Sequence, residues 1–106
     1  MKISELENII IKNSSKLNII RGRKLLEDKS FNIDVHKVDN FYNIYGRFKS
    51  EKNNKNYNPH LRIDVINKKL SFTKCSCSIF EEGDLKNRIY MCEHIVASGL
   101  KFVEDV

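Results

Sequence analysis

The residues of this chain best suited to chemistry are three cysteines and one histidine: Cys75-Ser76-Cys77, fourteen intervening residues, then Cys92-Glu93-His94. They include every cysteine in the chain. Thiolate sulfur and imidazole nitrogen are the ligands of closed tetrahedral zinc sites, and two X-x-X pairs supply four of them without remainder. A catalytic zinc usually keeps three protein ligands and an open position, so this set points to a structural ion. A nucleophilic pair such as Cys75 with His94 would leave two cysteines unexplained. The bland alternative is three buried free thiols beside an incidental histidine. His36 and His60, the other two histidines, fall in strand-like segments away from the cluster. Either could serve as a substitute fourth ligand, and an ordinary strand histidine is the simpler reading.

The spacing constrains the elements that hold these side chains. In a strand, residues i and i+2 share a face, so Cys75 and Cys77 converge where a strand ends. In a helix the same spacing separates side chains by about 200°. Cys92 therefore belongs at or just before a helix N-terminus, with His94 in the first turn. Free N–H groups and the helix dipole favour a thiolate there. The intervening loop contains a turn signal, Gly83-Asp84, and is long enough to bring the two pairs together.

The rest of the chain reads as the frame. Ile3, Leu6, Ile9 and Ile10 recur at helical spacing, with Ser4 and Glu7 at capping-box separation. After Asn13-Ser14-Ser15, a second helix with Leu17, Ile20, Leu25 and Leu26 runs to about Asp28. Alternation then replaces helical periodicity. Ile33 and Val35, then Tyr42, Ile44, Gly46 and Phe48, mark two strands of a hairpin turning at Asp39-Asn40. A polar loop at 50–56 leads to a third strand, Tyr57 to Ile66, where Pro59 signals an edge or a strand beginning. A turn at Asn67-Lys68 opens a fourth strand, Lys69 to Lys74, running directly into Cys75. A last helix, from about Cys92 to Val103, carries Ile95, Val96, Gly99, Leu100 and Val103 on one side. Residues 1–106 thus form a single α+β domain: N-terminal helices, a small antiparallel sheet of about four strands, a structural zinc motif at 75–94, and a C-terminal helix.

Composition bounds the function. One domain of 106 residues has a modest core, which a metal staple would strengthen. No run approaches the roughly 18 apolar residues of a membrane span, and the N-terminus lacks a signal-peptide core. An odd number of cysteines without an export signal suits the reducing cytoplasm. The net charge of +5 permits a nucleic-acid partner, although three thiolates and one Zn²⁺ would lower it by one. Two basic clusters could contact phosphates: Arg21, Arg23 and Lys24, and Lys68, Lys69 and Lys74, with Lys86 and Arg88 near the finger. Glu81, Glu82, Asp84, Glu93, Glu104 and Asp105 dilute the field around the metal motif. Phe41, Tyr42, Tyr45, Phe48 and Tyr57 could stack on bases or pack in a core, and core packing is the simpler account. No G-x-x-x-x-G-K-[ST] phosphate loop is present, and no small-molecule substrate is indicated.

The pattern C-x-C, fourteen residues, C-x-H, followed by an apolar helix, resembles the SWIM-type zinc finger. Cys75, Cys77, Cys92 and His94 match its ligands, and Cys92-Glu93-His94-Ile95-Val96-Ala97 is similar to that family's Cys-Lys-His-Ile-x-Ala ending. Arg21-Gly22 and the strands leading into Cys75 extend the likeness over residues 17–103. Glu93 departs from the family's common lysine, and Leu25, Leu26 and Ser30 stand where bacterial members often have an aromatic and a second glycine. The resemblance implies a non-catalytic module that binds DNA or protein. In bacteria such fingers accompany Swi/Snf-class helicase-like ATPases, often at the N-terminus. The chain therefore resembles the N-terminal domain of such a protein, with any ATPase activity expected beyond Val106. Its expected partners are DNA, or a C-terminal ATPase domain or other protein.

Overall fold

The computed structural model describes residues 2–27, 30–50, 54–77 and 91–105. The expected turn at Gly83-Asp84, basic Lys29, Lys86 and Arg88, acidic Glu81 and Glu82, and the approach to Asp28 lie outside them. The elements run α1 (Ile3–Lys12), α2 (Lys16–Leu25), β1 (Asn32–Val38), β2 (Phe41–Lys49), β3 (Asn56–Tyr57), β4 (His60–Asp64), β5 (Lys69–Lys74) and, as α3 here, Glu93–Asp105. The α+β architecture read from the sequence is the architecture found.

The sheet is antiparallel in the order β1-β2-β4-β5, with β3 also paired to β2. The expected third strand is divided in two. Phe48 pairs with Tyr57 and Tyr45 with His60, so β3 and β4 keep one register on β2 across the break. Pro59 has no N–H to donate, but its carbonyl accepts from Gly46 N at 2.8 Å. Pro59 thus marks the start of β4, an interior strand between β2 and β5, and not an edge. That strand stops at Asp64 instead of Ile66. The Asp64 carboxylate accepts from Ile66 N (3.1 Å), Asn67 N (3.0 Å) and Asn67 Nδ2 (2.7 Å), turning the chain. These bonds, the Asn67 side chain's first, hold its pKa below the usual carboxylate value.

Among the described residues the helices lie on one side of the sheet, with α2 packed on α3, and Ile44, Leu61 and Ile63 meet Leu6, Ile9, Ile10, Ile95 and Val96 in one core. α3 lies at the centre. The sequence marked one apolar side, yet Ala97, Ser98 and Phe102 are buried as well. Two glycines permit the close approach. A Cβ at Gly22 would stand 2.9 Å from Val96 Cγ1, and one at Gly46 would meet Ser98 Oγ and stand 2.7 Å from the Pro59 ring.

Two local expectations fail. α1 starts before the supposed capping box: Lys2 is its N-cap, without a side-chain cap, and Ser4 lies within the first turn. Its Ile3 is largely exposed. In α2 the apolar residues Leu17 and Ile20 face solvent, while Asn18 and Gly22 are buried. A polar contact and a helix crossing decided which side faces inward. The true N-cap there is Ser15, whose Oγ accepts from Asn18 N at 3.1 Å.

Candidate metal centre

β5 ends at Lys74, and Cys75 follows at once on the core side, with Cys77 just beyond. α3 begins at Glu93, and Val96 N donates to Cys92 O at 3.0 Å. Cys92 is therefore the residue that opens the helix, and His94 sits in its first turn, as the ligand spacing demanded. All four side chains are buried, and their ligand atoms lie within 4.8 Å of one another. Cys75 Sγ and His94 Nδ1 are 3.8 Å apart. Arms of about 2.3 Å for sulfur and about 2.0 Å for nitrogen make tetrahedral edges of about 3.5–3.8 Å. The donor set suits a metal ion and the Cys75–His94 separation is that of such an edge, while the group as a whole spans up to 4.8 Å.

Without an ion the cluster favours neutral thiols. Its hydrogen bond with Cys77, aided by burial, pushes the Cys75 thiol up to about 12. Hydrogen bonds with Cys75 and Cys77, again with burial, push Cys92 up as well. Crowding among the three sulfurs thus outweighs the thiolate-favouring helix start expected for Cys92. Three buried thiolates cannot share this volume unless a positive ion compensates them, and a coordinating thiol gives up its proton to the metal.

The surroundings fix the ligands. The His94 ring stacks on Tyr57 at 4.4 Å between centroids and 17° between planes, and Phe48 lies at 5.9 Å. The Ser98 hydroxyl donates to His94 O at 3.0 Å. Asn18 Nδ2 donates to Met91 O at 2.9 Å, holding the residue before Cys92 from a helix 73 positions earlier. No residue pattern signals this tether, because an asparagine among apolar residues reads as a solvent-facing position. Burial of Asn18 next to a helix start is the signal that reveals it.

Tyr42, Phe48 and Tyr57 pack against the core, while Tyr45 and Phe41 are on the opposite face of the sheet. His36 and His60 also lie there, and the four-residue Cys/His group contains neither. The described basic residues of the two clusters lie on different elements. Arg21, Arg23 and Lys24 are exposed on α2, in the helical layer. Lys69 and Lys74 follow the register of the opposite face. Lys68 is in the β4–β5 turn, with its Nζ 3.4 Å from Glu5 Oε1 of α1. Among the described residues no helix is long and apolar enough to cross a membrane. Comparison with protein-family models, with curated proteins and with solved structures finds no match.

Proposed function

We propose that Cys75, Cys77, Cys92 and His94 hold a structural zinc ion, and that the domain is a non-catalytic, SWIM-like binding module for nucleic acid. The observation that carries the reading is the meeting of four buried ligands between a strand end and a helix start, with no donor left over. A closed set of this kind builds a fold and leaves no position for a substrate. The basic balance of the chain supplies the affinity: exposed Arg21, Arg23 and Lys24 on α2, and Lys69 and Lys74 on the sheet, are suited to phosphate oxygens. In this reading the module serves a linked helicase-like ATPase by holding DNA for it.

A second reading has its own observation. Leu17 and Ile20 are 53% and 57% exposed on α2, a stripe that fits intramolecular or protein docking. The two readings part on salt. For the purified chain, metal analysis is expected to find one zinc per molecule, and DNA affinity is expected to fall steeply between low and moderate salt. Absence of DNA binding at low salt, with zinc bound, would overturn the nucleic-acid reading and leave docking. Absence of zinc from folded protein would overturn the metal assignment.

A further inference from the structure

The face of the sheet opposite the helices carries a row of rings, one from each main strand. His36 of β1 meets Tyr45 of β2 edge-on at 5.8 Å, and Tyr45 lies parallel to His60 of β4 at 4.2 Å and 16°. His60 in turn meets Phe72 of β5 at 5.1 Å. His36 is exposed, His60 and Phe72 are partly exposed, and Tyr45 is 42% exposed. Cross-strand register explains the alignment: Tyr45 pairs with His60, and Arg62 beside it pairs with Phe72.

Cations lie in the same row. The Arg62 guanidinium sits over both Phe41 and Phe72, at 5.6 and 5.4 Å, and its Nε donates to Asn43 Oδ1 at 3.1 Å. That bond and the two rings fix the group flat on the sheet, where it can meet a phosphate or extend the stacking surface. Asn43 Oδ1 is also 3.2 Å from His60 Nε2, which orients the second ring. Lys74 pairs with His60 in the register and lies exposed at the metal end. Neither Lys49 nor Lys74 makes an ion pair among the described residues. Burial, then the nearby Arg62 charge, lowers the pKa of His60 and keeps its ring neutral near pH 7.

A half-exposed row of rings flanked by a held guanidinium and an exposed lysine is complementary to an anionic chain whose bases are unpaired. Duplex DNA hides its base faces in its own stack, so only a single strand offers them. We propose that this face binds single-stranded nucleic acid, with bases stacked on the His36–Tyr45–His60–Phe72 row and phosphates met by Arg62 and Lys74. Four strands about 4.8 Å apart give room for roughly two or three bases. The proposal rests on the nucleic-acid reading above and assigns it a site away from α2.

The test is fluorescence anisotropy with labelled oligo-dT and oligo-rU of about twelve nucleotides, and with a duplex of the same length. Single strands are expected to bind more tightly than the duplex. Tyr45→Leu and Phe72→Leu, which keep apolar bulk, should each weaken single-strand binding about tenfold or more without changing its salt slope. Lys74→Ala should lower the salt slope by about one. Circular dichroism of each variant separates a lost contact from a lost fold. Wild-type affinity in both leucine variants, or binding of the duplex alone, would overturn this site and leave the nucleic-acid reading standing. Failure to bind any of the three probes would overturn both.

Discussion

At the scale of single residues, the proposed metal centre depends on side chains outside the Cys/His group. Tyr57 and Phe48 pack the His94 ring into one orientation, so its nitrogen meets the sulfurs without a search through rotamers. Asn18 does the same for the backbone at Met91. Replacing it with alanine leaves a carbonyl without its amide donor at a residue only 1% exposed. Such a loss costs about 1–3 kcal/mol. Asn18→Ala is therefore expected to lower stability in urea by that amount and to speed zinc transfer to a chromophoric chelator. The ligands themselves would be unchanged, so an unaltered transfer rate would show that the Met91 carbonyl does not help to hold the centre. The four ligands could be read directly because their chemistry is written in residue types. Asn18 could not, because its partner is a backbone atom 73 residues away.

At the scale of elements, α3 organises the molecule. It touches the sheet through Ser98 and Phe102, α2 through Val96 and α1 through Gly99, and it begins at the metal centre. Its contact with the sheet requires a residue without a side chain at Gly46, where a methyl group would run into Ser98 Oγ and the rigid Pro59 ring. Overpacking of this kind costs typically about 1–3 kcal/mol. Gly46→Ala should lower the melting temperature while leaving the metal content near one. A variant as stable as wild type would mean that β2 can retreat from α3. The strands were legible in the sequence because alternation survives wherever one face is buried: Tyr42, Ile44, Gly46 and Phe48 face the core as their spacing indicates. α2 was misread for a physical reason. Its apolar spacing selects Leu17 and Ile20, but the helix turns inward the side that offers an amide to Met91 and a flat surface to Val96. The break in the third strand was half legible. Pro59 marked a boundary, but sequence alone could not tell a strand start inside the sheet from an edge.

At the scale of the whole molecule, the question is how a small domain holds a sheet and three helices together. The Cα radius of gyration, 12.8 Å, is that of one compact domain, for which about 13 Å is typical at 100 residues. Most of the core is ordinary: isoleucines and leucines of α1, β2, β4 and α3 in one cluster. That cluster extends to Cys75, Cys77, Met91 and Cys92, so the metal centre is one corner of the core. Structural zinc contributes roughly 10–16 kcal/mol of apparent binding energy in small metallo-domains, whereas a domain's total stability is only about 5–15 kcal/mol. With terms of that size a zinc ion held there would outweigh any single packing contact. Chelation is therefore expected to do more than loosen one corner. The start of α3 and the end of β5 should be lost first, and the helices packed on α3 should follow as its N-terminal turn frays. Circular dichroism before and after a strong zinc chelator should show a large loss of helical signal that returns when zinc is restored. Cys75→Ser should resemble the chelated state even when zinc is in excess. If the chelated protein keeps its full spectrum and its melting temperature, the cysteines and histidine are ordinary core residues and the ion is not what joins sheet to helix.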